Sequence, residues 1–444
     1  MITHVRWYWK TGLVCLSLSA CPAVWATNEL VLQLDTALTS NSNTFRFYQK
    51  PRAELSSELP VDEPKDNPAA IPHLRETSLD LELRSAVTIP LLSDQTRLIL
   101  MGSLGQHHYK NYRQLDYRSH AADGIFEWQL TPAMRGRIAY GREDKLFQYL
   151  NGSLTDLDVS HQKRAVAELV SKVANDWLLA AKLNKTELNY DLPQNKVYDF
   201  EDKNATLSVK YNSPTGSSLE LGVRRGQTDY PDRDQRQQID LDTRYRENEL
   251  YFDAEWKYSA KTQTSLHLGL VNREYQNLHE RDTRLKNIIW RGTYFYSPQL
   301  RLDMQLWDRP FSIVDPTILY VTSQAMRFDA FWRWSEKTSL NASLLLQNSD
   351  NLLIPRLADL NREQVRKERV QRIGLGAKYE IERGLNLYLD GFYEKSRRLG
   401  DGSFLNQAVL RMGLNYTYET LPGSYTAKLL RRYQTSYSAI EPVE

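Results

Sequence analysis

The residues best suited to chemistry in this chain are its histidines. Seven of the eight lie beyond residue 26, namely His73, His107, His108, His120, His161, His267 and His279. A serine hydrolase needs Ser, His and an acid within mutual reach, and no nucleophile motif stands beside His267. His107, His108 and His120 are near one another in the sequence, but no Asp or Glu at ligand spacing joins them. We therefore expect no catalytic residues, no cofactor and no metal site, in a protein that is not an enzyme.

Charged residues that alternate with apolar ones are the second candidate for function. In residues 250–256 and 300–306, every second residue is apolar and those between are polar or charged. Because successive side chains of a strand point to opposite faces, such strands have one apolar face and one charged face. On a membrane barrel the charged face lines the lumen, and our lumen-lining candidates are Glu82, Arg84, Arg224, Asp253, Glu255, Arg301, Asp303, Arg327, Asp329, Arg333 and Asp390. Any one of them is alternatively an ordinary solvated or paired residue.

The elements that must carry these residues are strands too long for a soluble sheet. They run about 12 to 16 residues, against the usual five or six, whereas a tilted strand of about 9–11 residues crosses a bilayer. Short turns rich in Pro, Gly, Asn, Asp and Ser recur every 38–47 residues, centred at 93, 132, 175, 214, 260, 298, 336 and 383.

These eight turns separate nine hairpins. We therefore predict an all-β fold, an up-and-down antiparallel transmembrane β-barrel of 18 strands with 16 as the alternative count. Short turns face the periplasm and longer loops face outward in such barrels. A water-soluble β-sandwich is the competing interpretation, and the strand length argues against it.

Aromatic residues provide an independent test of the barrel. The chain has 26 Tyr and 10 Trp, with a mean hydropathy of −0.57 and no apolar segment as long as a membrane-spanning helix. A membrane barrel carries aromatic girdles at its two interfaces. We assign to the periplasmic girdle the aromatic residues Trp128, Trp177, Trp256, Tyr258, Trp332, Trp334, Tyr416 and Tyr418.

The N-terminus decides the compartment. Residues 1–26 have the layout of a secretory signal peptide, with Arg6 and Lys10, then an apolar stretch, then a cleavage site after Ala26. Lipoprotein processing at Cys21 is the alternative. Without this leader the chain has no cysteine and equal numbers of acidic and basic residues, 55 of each. A disulfide framework and a nucleic-acid binder are therefore both unsupported, and an integral multi-pass β-barrel in the Gram-negative outer membrane is expected.

The mature chain divides into a barrel and a tail. The barrel covers residues 27–419, and its first external loop, 40–76, is the longest and carries five prolines. Residues 420–444 form a C-terminal tail on the periplasmic side, which we expect either to dock a partner or to lack regular structure.

Several stretches resemble the putative β-barrel porin family of exopolysaccharide operons, the EpsL-like outer-membrane proteins. They are residues 39–46 (TSNSNTFR), 211–224 (YNSPTGSSLELGVR), 228–231 and 273–278. The resemblance implies passage of a secreted polysaccharide across the outer membrane, alongside a periplasmic polysaccharide-export protein and an inner-membrane co-polymerase. It implies no catalytic residues. Members of the family usually stop at the last strand, so the tail after Tyr418 departs from the pattern.

Three functions follow as hypotheses. The first is a non-enzymatic pore for polysaccharide export, whose partners are outer-membrane lipid, the polysaccharide in transit and the periplasmic export protein. The second is a general or substrate-specific diffusion porin for small solutes, and the third is a lipid-modifying hydrolase of the outer membrane. A diffusion porin should fold a long loop into the lumen, and 40–76 is the candidate. An export barrel should leave the lumen wide or gated by its periplasmic partner.

Overall fold

The computed structural model describes residues 29–44, 46, 48–49, 75–93, 95–146, 157–233, 242–279, 282–311, 318–353, 366–400 and 402–435. The signal peptide and most of the first external loop lie outside these residues, so their assignments stay predictions. Among the residues described, no helix is long and apolar enough to cross a membrane.

Eighteen strands form one antiparallel sheet that closes on itself. They are β1 (Glu29–Asn41), β2 (Glu76–Ser93), β3 (Thr96–Tyr109), β4 (Tyr117–Thr131), β5 (Met134–Leu146), β6 (Val159–Lys172), β7 (Trp177–Tyr190), β8 (Phe200–Asn212), β9 (Ser218–Asp229), β10 (Arg244–Lys257), β11 (Thr262–Tyr275), β12 (Thr283–Ser297), β13 (Leu300–Phe311), β14 (Ile318–Arg333), β15 (Thr338–Leu353), β16 (Arg366–Glu382), β17 (Leu385–Arg398) and β18 (Phe404–Glu419). Two short 3-10 helices, Arg113–Leu115 and Pro193–Tyr198, lie in external loops, and one α-helix, α1 (Tyr425–Thr435), follows β18.

Each strand pairs with its neighbours in the sequence, and β18 pairs with β1 to close the barrel. This closing register runs from Val31 opposite Glu419 to Asn41 opposite Val409. Closure leaves no free sheet edge, which is the only way that a sheet satisfies its backbone groups inside a bilayer. The prediction of an 18-stranded up-and-down barrel is confirmed, and the β-sandwich and the count of 16 are excluded.

Alternating side chains give the barrel its two faces. Leu183, Leu250 and Leu375 are 60%, 51% and 66% exposed, because they point outward, where lipid takes the place of a protein core. The tight turns follow from local chemistry: Gly384, between β16 and β17, has a φ of 84°, which glycine adopts without steric cost. The eight aromatic residues assigned to the periplasmic girdle lie on the outward face close to these short turns, and the rings of Trp332 and Trp334 stack with centroids 5.5 Å apart.

The C-terminal tail requires a correction. The structure places residues 425–435 in helix α1, which folds back against the lumen side of β1 and β2. The chain turns at Gly423, whose φ is 70°. Ser424 then caps the helix, because its hydroxyl accepts a hydrogen bond from the Ala427 N–H at 3.1 Å. The expectation that the tail lacks regular structure is therefore wrong for residues 425–435, and docking of a partner stays a prediction.

Candidate functional site

The eleven lumen-lining candidates all lie on the inward face. Their register fixes this: Glu82 is opposite Asp35, Arg301 is opposite Phe331, and Asp390 is opposite Arg411. In each strand these positions alternate with the outward apolar residues described above. These eleven charged side chains therefore share the inward face of the barrel.

Most of these charges are neutralised locally. Within β2 the Arg84 guanidinium donates to Glu82 at 2.7 Å. The same i,i+2 pairing recurs in β13, between Arg301 and Asp303 at 2.9 Å, and in β14, between Arg327 and Asp329 at 2.8 Å. Three further candidates find partners on neighbouring strands, where Arg224 meets Glu249 at 3.0 Å, Asp253 meets His267 at 2.7 Å and Glu255 accepts from Ser218 at 3.4 Å. The result is a polar wall without a ring of one sign, which predicts weak ion selectivity.

At the external mouth, the beginning of the first loop turns into the lumen. Arg46 reaches the inward-facing residues of β17 and β18, donating to Gln407 at 3.0 Å and to Glu394 at 2.6 Å. Its φ of 53° is the left-handed conformation that few residues other than glycine adopt. Glu394 is fully buried, and it also accepts from Arg372 at 2.8 Å. Two guanidinium groups thus fix one carboxylate beneath the loop.

Tyr48 makes the second attachment of this loop. Its hydroxyl hydrogen-bonds to Glu368, and to Ser396 at 2.9 Å. The guanidinium of Arg398 stacks over its ring at 3.9 Å. Gln49 then forms a two-way backbone bridge with Phe404 at 2.7 and 2.9 Å. The described residues between 42 and 49, which we call the inward segment, are therefore held across the lumen face of β16, β17 and β18. The sequence did not indicate these contacts.

Buried carboxylates hold the external loops in a repeated manner. Glu76, at the start of β2, accepts backbone N–H groups from residues 110–112 at 2.9–3.1 Å. Asp158 accepts from Asp191 and Leu192, both at 3.0 Å. Asp242 accepts from residues 277 and 278 at 2.6 and 3.0 Å. All three are at most 3% exposed, so each tie is a charge-assisted bond shielded from water.

At the periplasmic mouth, helix α1 occupies part of the lumen. Ala427 and Leu430 are 1% and 3% exposed, and they pack with Val31, Ala86 and Met101 on the inward faces of β1, β2 and β3. These helix positions are three residues apart, so they lie on one helical face. The inward wall carries an apolar group at this point, which gives the helix a matched docking surface.

Polar contacts fix the register of α1 within this mouth. The hydroxyl of Thr426 lies 2.6 Å from that of Thr88 and donates to Glu29 at 2.7 Å. The hydroxyl of Tyr425 donates to Glu127 at 3.0 Å. Beyond the helix, a cavity of about 610 Å³ remains between Ala427, Leu430 and the wall of β15 to β18. Helix α1 therefore occupies one side of the periplasmic mouth, and this cavity lies beside it.

The histidines do not converge. His107 points inward and bonds Asp80 at 2.8 Å, while His108 and His120 lie on the outer face, where they meet Asp116 at 3.0 Å and Asp144 at 2.9 Å. Two of these acids come from neighbouring strands, Asp80 from β2 and Asp144 from β5, so spacing in the sequence did not indicate them. The Asp144 carboxylate also contacts His161, at 2.9 Å. Among the residues described, no group of three or more His, Cys, Asp or Glu side chains is arranged to hold a metal ion.

Solved structures share this architecture. OccK9 (OpdG) of Pseudomonas aeruginosa is 9% identical with a TM-score of 0.50, over 88% of this chain and 98% of its own. OccAB3 of Acinetobacter baumannii is 10% identical with a TM-score of 0.48, over 89% and 100%. The outer membrane protein OpdK of Pseudomonas aeruginosa is 11% identical with a TM-score of 0.47, over 88% and 99%. No family model and no curated protein matches the sequence.

The fold is that of an outer-membrane porin. At these identities the likeness concerns the fold alone. Together with the outward apolar belt, it makes the protein an integral β-barrel of the outer membrane. The resemblance to the exopolysaccharide family is supported by none of these comparisons.

Proposed function

We propose that this protein is a non-enzymatic diffusion channel for small hydrophilic solutes. The inward segment carries the proposal, because Arg46 and Tyr48 attach an external loop to the lumen wall at Glu394 and Ser396. A loop folded inward is the feature that separates a diffusion porin from a wide export barrel. An 18-stranded barrel otherwise leaves an aqueous channel.

The mixed wall supports solutes of low net charge. Carboxylates and guanidinium groups alternate around the lumen, as at Arg301 and Asp303 or Arg327 and Asp329. Such a wall keeps the channel hydrated without the single-sign field that strong ion selection needs. Small sugars, amino acids and other polar molecules fit this environment, whereas a polymer has to thread past both the inward segment and helix α1.

Reconstitution tests the proposal directly. The full chain, inserted in planar bilayers, should give steady conductance with weak preference between potassium and chloride. Liposomes that contain it should swell in small sugars and fail to swell in long oligosaccharides. The variant Arg46→Ala should raise the size limit, while Arg118→Ala, on the outer face of β4, should leave it unchanged. A channel that passes long and short sugars equally well would contradict the proposal.

A second experiment distinguishes diffusion from polysaccharide export, the hypothesis in which a periplasmic export protein is the partner. Deleting the gene in its host and staining the cell surface for polysaccharide gives the decisive contrast. Unchanged staining with slower uptake of small solutes supports diffusion. Lost staining with unchanged uptake supports export.

A further inference from the structure

The outward face near the external ends of β16 and β17 carries four cations close together. Lys367 and Arg369 belong to β16, and Lys395 and Arg397 belong to β17. All four side chains are exposed. We refer to these four residues as the basic patch.

The register brings like charges face to face. Arg369 lies directly opposite Arg397 in the antiparallel ladder. Like charges in directly opposed positions destabilise a sheet. Arg369 donates to Asn348, a neutral side chain, at 3.2 Å, and Asp350 on β15 stands opposite Lys367. The patch therefore keeps a clear positive excess that an anion from outside the protein would relieve.

The patch stands just above the apolar belt. Ile373 and Tyr393 are directly paired, and they are 57% and 51% exposed on the lipid-facing side. The pair Arg369–Arg397 follows four residues further toward the external side. Four residues span about 13 Å along a strand, or about 10 Å in height at a tilt of about 40°. Lys395 lies half that distance above the belt, so the patch covers the depth of the lipid headgroups.

In another sector of the external rim the cations are paired with carboxylates. On the outer face of β7 and β8, Lys185 contacts Glu187 at 2.6 Å and Glu201 at 2.9 Å. Lys203 contacts the same Glu201 at 2.6 Å. Lys163 on β6 also contacts Glu187, at 3.5 Å. Each of the three lysines therefore has a carboxylate partner within the protein and needs no outside anion. The two sectors stand at comparable depth and differ in whether their charges are paired.

We propose that the basic patch binds the phosphate groups of a lipid in the outer leaflet. The acyl chains of that lipid lie against Ile373 and Leu375, and its phosphates lie between Arg369 and Arg397 and beside the two lysines. Four cations spread over two strands suit a lipid with more than one phosphate. Guanidinium groups match phosphate oxygens in a two-pronged geometry. The anion removes the repulsion between the two arginines, which ties the lipid to the stability of this edge of the barrel.

The test uses the full-length protein folded in an uncharged detergent. The probes are bis-phosphorylated lipid A, the same lipid with both phosphates removed, and inorganic phosphate. Native mass spectrometry measures lipid binding, and thermal unfolding measures stabilisation. The variant R369Q/R397Q is compared with K185Q/K203Q, which removes two positive charges from the outer face of β7 and β8.

The expected result is weaker lipid binding by R369Q/R397Q, without any loss of thermal stability in the absence of lipid. One basic residue contributes about 1 kcal/mol to anionic lipid binding, so R369Q/R397Q should bind bis-phosphorylated lipid A about 25-fold more weakly. Without lipid, that variant should unfold at the same temperature as the natural protein or higher, because the repulsion is gone. K185Q/K203Q should bind the lipid as the natural protein does.

Three outcomes would overturn the proposal. One is equal binding of lipid A with and without its phosphates, which would assign the contact to acyl chains alone. Another is equal stabilisation by inorganic phosphate, which would assign the patch to a free anion. The third is lipid binding by R369Q/R397Q that matches the natural protein.

Discussion

The external mouth of the lumen is narrowed by a segment held through ion pairs and hydroxyl groups, whereas the periplasmic mouth is narrowed by a helix that adds buried apolar side chains to its hydroxyl contacts. Arg46 on Glu394 represents the first arrangement, and Leu430 against Val31 represents the second. Charge-assisted contacts depend on salt and on protonation, while apolar burial depends on neither to a comparable degree. The attachment at the external mouth should therefore be more sensitive to salt and pH than the helix at the periplasmic mouth, although both lie in the same lumen.

Removing helix α1 should have the largest effect on this comparison. Deleting residues 424–444 should raise single-channel conductance roughly twofold or more, because an unobstructed 18-stranded barrel leaves a wide aqueous channel. The substitution Leu430→Asp should reproduce part of the increase, since it places a charge where Leu430 is 3% exposed. Lys428→Gln, on the exposed side of α1, is the control. Equal conductance in all forms would show that α1 does not narrow the pore.

Breaking the external attachment should have the next largest effect. Glu394→Gln leaves Arg46 and Arg372 without their shared carboxylate. Removing one partner of a buried ion pair costs about 3–5 kcal/mol, so residues 42–49 should detach and hydrogen exchange in this segment should rise. Glu336→Gln, in the exposed turn between β14 and β15, serves as the matched control. Full protection of residues 42–49 in the Glu394 variant would contradict this account of the external mouth.

Loosening one external loop should have a smaller effect. Asp158→Ala removes the acceptor for the amides of Asp191 and Leu192 and for the side chain of Asn195. Leaving a buried donor unsatisfied costs about 1–3 kcal/mol, so these two amides should exchange faster. Conductance should change little, because this loop is not attached across the lumen. Asp176→Ala, in a periplasmic turn, gives the comparison.

Acid should have the smallest and most local effect. The Tyr109 N–H, which donates to the Asp116 carboxylate, and the neighbouring His108 hold the pKa of Asp116 below its usual value of 3.8. The stabilisation is therefore fully present above pH 3.8 and is lost as the pH falls through the lowered pKa. The Tyr109 amide should exchange faster below that pH, after correction for intrinsic rates. Asp116→Asn should abolish this pH dependence.

The barrel itself was predictable from local patterns. Alternation along 300–306 assigns Arg301 and Asp303 to one face without any information on the neighbouring strands, because the period of a strand is two. The short turns fixed the strand count, since Pro, Gly and Asn mark turns through their own backbone preferences. Three candidate pairs, including Arg301 with Asp303, are two residues apart, so their pairing also followed from local geometry.

The contacts that narrow the channel were not predictable in this way. Arg46 and Glu394 are 348 residues apart, and Thr88 and Thr426 are 338 apart. Neither pair shows a local signal, and the cap at Ser424 could only have indicated that a helix begins there. Arg369 and Arg397 likewise meet only through strand register.

The amino-acid sequence alone determined the membrane barrel, its strand count and the face on which each charge lies, since these depend on the period of the strand and on turn chemistry. Only the tertiary structure decided what narrows the lumen and where a like-charge pair meets on the outer face. The first feature depends on closing the sheet, which brings β1 beside β18 and so places the first loop and the last helix within one lumen. The second depends on the register between β16 and β17.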